Sequence, residues 1–164
     1  MAASKSDAVT IRKGTLEDAD MLCGLIAALA ECERIPRPDK AAQERLKRDA
    51  FGAQPRFDCW LAEVGGRPIG YAITFHTYST FLALPSLYLE DIFVLPEFRM
   101  QKVGKALFLH CAKFALEQGC GRMEWQVLHW MTPAVDFYRG LGAQRLEGWQ
   151  PYRIVRRDLE RIVV

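Results

Sequence analysis

Two adjacent carboxylates, Glu90 and Asp91, interrupt an otherwise apolar run, Leu87-Tyr88-Leu89 before them and Ile92-Phe93-Val94 after. Acids among such neighbours are costly unless a partner or a cleft receives them. Partial burial raises a carboxyl pKa and makes a base usable near neutrality. Acylating an amine needs such a base, because an ammonium has no lone pair. Successive strand residues face opposite sides, so one acid of the pair is expected on each face. Just downstream, Glu97-Phe98-Arg99-Met100-Gln101-Lys102-Val103-Gly104-Lys105 is a basic turn that opens directly into a helix. The first N–H groups of a helix lack intrahelical partners, and its dipole adds partial positive charge there. That suits a phosphate or pyrophosphate. Arg99, Lys102 and Lys105 reinforce it, and Gly104 removes a Cβ where backbone must approach a ligand. The turn is no nucleotide P-loop: Ala106 follows Gly104-Lys105 where a metal-binding hydroxyl would stand, and the upstream glycine is missing. Further on, Phe137-Tyr138 lies on a Pro-started helix. Taken alone, Tyr138 reads as a core-rim tyrosine with a wet hydroxyl; a phenol is also close enough in acidity to a thiol to protonate a departing thiolate.

These groups need elements to hold them. Val9 to Arg12 reads as a first strand, and Thr15 with Asp18 as the start of a helix whose apolar set Ala19, Leu22, Ile26 and Leu29 runs to about Glu33. Two prolines, Pro36 and Pro38, force a loop before Asp39 caps a second helix ending near Phe51-Gly52. Phe57–Val64 and Pro68–Thr77 are strands joined at Gly65-Gly66, followed by a loop from Tyr78 to Pro85. The acidic strand spans Leu87–Leu95. A helix over Val103–Gln118 follows, with His110, Lys113 and Glu117 on its wet side and Gly119 and Gly121 ending it. Arg122–Leu128 is the next strand. Thr132-Pro133 starts the tyrosine helix with a hydroxyl cap, Gly142 closes it, and two short strands are expected around Trp149 and over Tyr152–Val155. The helix between the Leu87 and Arg122 strands demands a parallel pair. The fold class is α+β: a mixed, mostly antiparallel central sheet with one parallel pair, flanked by about four helices. A single domain over 9–164 behind a flexible stretch, 1–8, accounts for the chain.

A chain of 164 residues buries roughly 70% of its unfolded surface as one domain. Its 50% apolar and 26% charged residues are ordinary for a globular protein, and a net charge of +2 demands no nucleic acid. The Arg-rich tail from Arg153 through Arg161 reads as an edge strand with a solvated face. Cys23, Cys32, Cys59, Cys111 and Cys120 are odd in number and contain no CxxC pair, and no His stands at metal-ligand spacing from them. A reducing, cytoplasmic compartment and no metal are therefore expected. No apolar run has signal-peptide or membrane-spanning length. His76, His110 and His129 are scattered, and no Ser/His/Asp or Cys/His nucleophile assembles.

The order of these motifs resembles the GNAT acetyltransferase superfamily, and within it the diamine (spermidine/spermine) and thialysine acetyltransferases. The resemblance spans nearly the whole chain. It rests on Tyr88-Leu89-Glu90-Asp91, on Arg99 through Gly104, and on Phe137-Tyr138-Arg139-Gly140-Leu141-Gly142-Ala143, with weaker support from Ala53-Gln54-Pro55 and Tyr78-Ser79-Thr80. It implies acetyl-CoA held by backbone of Ile92, Phe93 and Val94 and by the turn Arg99, Met100, Gln101, Lys102, Val103, Gly104 and Lys105. It implies Tyr138 as general acid and Glu90 as base or as anchor for the substrate ammonium. Glu33 matches an amine-contacting position, and Asp91 joins it in the substrate site. Transfer would be direct, onto the amine of a small molecule, in a homodimer. The chain departs from the family's pattern at Met100 and Lys102, where Gly is favoured, and at Met131, where Asn often contacts the pantetheine arm. His129 stands where an acid is common, and Cys32 and Ser79 or Thr80 replace a Tyr and an Asp of the polyamine branch. Two alternatives stay open: a degenerate acyl-CoA-binding sensor or interaction module, and an acetyltransferase acting on protein lysines or N-termini.

Overall fold

A computed structural model describes residues 8–163. By the density of its internal contacts the chain divides after Gln126 into two compact units. The first carries a five-stranded sheet in the order β1-β2-β3-β4-β5, formed by β1 Thr10–Lys13, β2 Asp58–Val64, β3 Arg67–Ser79, β4 Leu84–Val94 and β5 Met123–Glu124. Strands β1 to β4 pair antiparallel, and β4 pairs parallel with β5 through Leu87 with Met123 and Tyr88 with Glu124. The mixed, mostly antiparallel sheet with one parallel pair is thus as the sequence indicates. Three helices belong to this unit: α1 Ala19–Glu33, α2 Lys40–Phe51 and α3 Val103–Glu117.

Strand alternation builds a core on each face of the sheet. Cys59 and Leu61 of β2, Tyr71 and Ile73 of β3, and Phe93 of β4 join Leu22 and Leu25 of α1 and Ala50 of α2. The intervening residues look the other way. Trp60 donates its indole N–H to the Thr74 hydroxyl at 3.1 Å and meets the rings of His110 and Phe114 on α3 at 4.5 and 4.9 Å. His110 is therefore not on the wet side of its helix; it rests on Trp60 with Nε2 buried and without a hydrogen-bond partner. Lys113 and Glu117 do form the exposed i,i+4 pair, at 3.7 Å. At the entry to α1, Arg12 bridges Asp18 at 2.7 Å and Glu63 at 2.6 Å, while Asp18 accepts from the Thr15 N–H at 2.8 Å.

The β2–β3 turn at Gly65-Gly66 has φ of 58° and 78°, the left-handed values that glycine adopts without strain. The expected Tyr78–Pro85 loop is largely sheet: β3 continues to Ser79 and β4 begins at Leu84, leaving a four-residue connection that Ser79 closes by accepting the Leu82 N–H at 3.3 Å. Gly70 is required by packing, since a Cβ there would lie 2.6 Å from the Phe93 carbonyl oxygen. Strand β5 is two residues long, not the seven from Arg122 to Leu128 that alternation suggests, and Trp125 next to it packs edge-on against Phe108 at 5.3 Å.

The second unit holds α4 Thr132–Gly140 and α5 Arg156–Ile162. Met131, not Thr132, occupies the N-cap of α4, its carbonyl accepting from Ala134 and Val135 N–H at 3.0 and 3.1 Å, with Thr132-Pro133 inside the first turn. The strands expected around Trp149 and Tyr152–Val155 do not form among the described residues, and the basic tail is helical over Arg156–Ile162. Its Arg156–Glu160 pair at 2.8 Å and Arg161–Asp158 pair at 3.2 Å use helical spacing, which outweighs the brief alternation of Arg153-Ile154.

Candidate active site

The acidic motif lies at a break in the β3–β4 ladder. Ile73 pairs with Asp91 and the next residue, Thr74, pairs with Leu89, so Glu90 is the extra residue of a β-bulge. The bulge switches parity. Leu89 stands opposite Thr74 on the face covered by α3, whereas Asp91, two residues on, stands opposite Ile73 on the face covered by α1 and α2. The alternation expected from sequence therefore fails at this pair. Glu90 is exposed, and Asp91 is mostly buried. Tyr71, fully buried on β3, donates its hydroxyl to Asp91 Oδ2 at 3.1 Å. Glu33, the last residue of α1, is half-buried, and Arg34 beyond it turns the chain with φ 59°.

These carboxylates feel one another. Burial pushes Asp91 up to about 6, and the charges of Glu90 and Glu33 add to the effect while the Tyr71 hydrogen bond opposes it. Glu33 is raised by burial and then by Glu90. None of the three has an ion-pair partner among the described residues. Nor do any three His, Cys, Asp or Glu side chains among the described residues form a group that could hold a metal.

The anion turn follows β4. Because β5 pairs only with Leu87 and Tyr88, no strand among the described residues pairs with the later part of that β4 edge, which includes Ile92, Phe93 and Val94. A short 3-10 turn, Pro96–Phe98, leads to Met100 and Lys102, which hold φ of 63° and 65°. The first bond of α3 runs from Ala106 N–H to the Lys102 carbonyl at 2.9 Å, and no side chain caps the helix. The N–H groups of Val103, Gly104 and Lys105 thus precede the ladder, as an anion site requires. A Cβ on Gly104 would meet only Val94 Cγ2, at 3.9 Å, so packing within the protein does not demand a glycine there. Lys102 and Lys105 are exposed. Arg99 is exposed but lies back along β4: Nε donates to the Val94 carbonyl at 3.0 Å, Nη2 lies 3.5 Å from Cys32 Sγ, and the guanidinium covers the Phe93 ring at 5.5 Å. Gln101 reaches back to the Glu97 carbonyl at 3.2 Å.

In the second unit Tyr138 is buried, and burial pushes its phenol up to about 12, so it stays protonated at neutral pH. The Phe137 ring stands edge-on to it at 5.2 Å. Met131, at the head of α4, is half-buried. Sequence reasoning missed Tyr71. Its only signal was a hydroxyl-bearing ring in an apolar strand, and without the register nothing pointed it at Asp91.

An open sheet edge, an uncapped basic helix start and carboxylates without an ion-pair partner among the described residues thus lie along β4 and the turn after it. The acetyltransferase (GNAT) family pattern matches residues 23–143, and the chain belongs to that family. It is an acetyl-transferring enzyme, and enzymes of this family use acetyl-CoA. The thialysine N-epsilon-acetyltransferase of Bos taurus is 36% identical over 156 residues, which cover 88% of this chain and 91% of that one. The spermidine/spermine N(1)-acetyltransferase-like protein 1 of Homo sapiens is 29% identical over 97% of this chain and 24% of its own length. Among solved structures, an aminoglycoside N-acetyltransferase in complex with CoA superposes with a TM-score of 0.75 at 21% identity, over 93% of this chain and 99% of that one. At that identity the likeness concerns the fold. No helix among the described residues is long and apolar enough to cross a membrane.

Proposed function

We propose that this enzyme moves acetyl from acetyl-CoA directly to the primary amine of a small molecule, a thialysine- or lysine-like amine or a polyamine. The observation that carries the reading is the set Glu33, Glu90 and Asp91, three carboxylates beside the β4 bulge with no cation among the described residues to neutralise them. An ammonium substrate would supply that charge. The likeness to the thialysine acetyltransferases supports the same class.

In this reading the open edge at Ile92, Phe93 and Val94 receives the pantetheine arm, and Met131 is a further coenzyme contact that the family resemblance implies. The turn Arg99–Lys105 receives the pyrophosphate, with backbone N–H groups of Val103, Gly104 and Lys105 and the charges of Lys102 and Lys105 in contact. Arg99 serves from behind by holding the Val94 carbonyl. Glu90, carried outward by the bulge, anchors the ammonium. Tyr138, kept protonated by its raised pKa, gives its proton to the coenzyme A thiolate. The reaction uses no acyl-enzyme and no metal. A single acetyltransferase domain over 9–164, a homodimer, a cytoplasmic location and the absence of nucleic-acid and membrane partners complete the proposal. The flexible stretch assigned to 1–8 falls, but for Ala8, outside the described residues.

The test is thiol release from acetyl-CoA over thialysine, lysine, putrescine, spermidine, spermine and a lysine peptide. Turnover with a small amine, reduced about 100-fold or more in Tyr138→Phe, is the expected result. A thermal shift with acetyl-CoA but no turnover would identify an acyl-CoA sensor instead, and activity confined to the peptide would identify a protein acetyltransferase.

A further inference from the structure

The amine must lose a proton before it attacks, and the β4 bulge presents two carboxylates in unlike settings. We propose that Asp91, held by the buried hydroxyl of Tyr71, takes the proton from the substrate ammonium, while Glu90 binds that ammonium without accepting the proton. The assignment rests on the small-amine reading of the site and divides its labour.

Geometry separates the two acids. Glu90 is unpaired in the ladder and exposed, which leaves its carboxylate reachable from solvent as an anchor. Asp91 is back in register opposite Ile73, mostly withdrawn from water, and fixed by the Tyr71 hydroxyl at 3.1 Å. Tyr71 shows no exposure to solvent, so its ring cannot swing away, and it acts as a positioning residue. The ionisable groups around Asp91 are Tyr71 on β3, with Cys59 of β2 behind it, Glu90 on its own strand, and Glu33 at the end of α1. Arg99, the cation of the turn, makes its hydrogen bonds to Val94 and Cys32 and no ion pair with Asp91. Burial, with the like charges of Glu90 and Glu33 adding to it and the Tyr71 donor opposing it, pushes Asp91 up to about 6, which matches a base that must be free at pH 7 and still basic.

The step balances without a further reactant. Asp91 carboxylate takes one proton from R–NH3+, leaving a neutral amine, and later gives it to solvent. The amine lone pair forms a C–N bond to the acetyl carbonyl carbon, and the C–S bond breaks with its electron pair on sulfur. The thiolate takes a proton, which Tyr138 supplies in the proposed reading. The nitrogen loses its second proton as the amide forms, and an equivalent proton returns through solvent to the Tyr138 phenolate, so the net products are the acetamide, the coenzyme A thiol and one proton.

The experiment is the pH dependence of kcat/KM, with circular dichroism and thermal melting as controls for folding, for the wild type, Asp91→Asn, Glu90→Gln and Tyr71→Phe. In the wild type the acid limb is expected near pH 6. Asp91→Asn should lower kcat by roughly 100-fold or more and remove the limb. Glu90→Gln should raise the amine KM with a smaller loss of kcat and, by deleting a like charge, move the limb to lower pH. Tyr71→Phe should move it to higher pH, because the lost hydrogen bond had favoured the carboxylate. A merely structural role for Tyr71 would lower stability and leave the limb in place. The assignment is overturned if Glu90→Gln abolishes the limb while Asp91→Asn keeps it. A wild type silent on every amine would refute the small-amine reading, and this assignment with it.

Discussion

Met100 and Lys102 sit in the left-handed region with φ of 63° and 65°, a conformation that costs a residue with a Cβ on the order of 1 kcal/mol more than glycine. Met100 is fully exposed, so nothing repays it by packing. Lys102 differs, because its charge lies at the start of α3. Lys102→Gly should therefore raise stability by about 0.5–1 kcal/mol, seen as a higher melting temperature, and raise the KM for acetyl-CoA. Gly104 gives the converse case. Since an added Cβ meets only Val94 at an ordinary 3.9 Å, Gly104→Ala should leave the melting temperature unchanged or slightly higher, while weakening the coenzyme if that space is the phosphate's. Titrating both variants with acetyl-CoA checks the pair. Equal affinity to wild type in both would remove this turn from the coenzyme site. The departures at Met100 and Lys102 were visible in the sequence. Their strain was not, because φ depends on how the turn closes onto β4.

At the scale of elements, α3 packs its flank on Trp60 and, in the proposed function, offers its N-terminus to an anion. His110 belongs to that flank. Burial lowers its pKa, and Nε2 has no partner. The unfolded chain thus binds a proton more readily than the folded one below about pH 6.5, and stability falls as pH drops through that value. His110→Phe should flatten this part of the stability–pH curve and raise stability at pH 6 by about 1 kcal/mol, measured by urea unfolding at a series of pH values. A slope unchanged in the variant would place the titrating group elsewhere. The sequence showed α3 as an amphipathic helix but assigned His110 to the wrong side, since helical periodicity does not say how wide the buried stripe is. That width is set by the bulk of Trp60 beneath it. The C-terminal tail failed for a related reason: alternation over three or four residues marks a strand only where a neighbouring strand offers its edge.

For the whole molecule, acid stability follows from the ion-pair node that ties β1 to β2 and to the turn before α1. The Arg12 hydrogen bond, helped by the Thr15 N–H, holds Asp18 down at about 2. A depressed carboxyl contributes its full stability above its unfolded pKa near 4 and loses it as pH falls toward 2. Asp18→Asn should remove this part of the acid dependence and lower the melting temperature at pH 7, with the two curves converging near pH 2. Curves that stay parallel down to pH 2 would show that the node adds nothing to folding. The length of the β3–β4 ladder through Tyr78 and Pro85 was not legible in the residues, whereas the hairpin at Gly65-Gly66 and the parallel pair across α3 were legible, because turn chemistry and periodicity are local properties. So was the order of acid strand, basic turn and tyrosine helix. The sequence by itself determined which groups are available and along which elements they come. Only the tertiary structure decided how they are set: the bulge that exposes Glu90 and sinks Asp91, the Tyr71 hydroxyl that meets Asp91, and the hydrogen bond of Arg99 to Val94. Each depends on the register of one strand against another, and register is a property of the pair, which neither strand encodes alone.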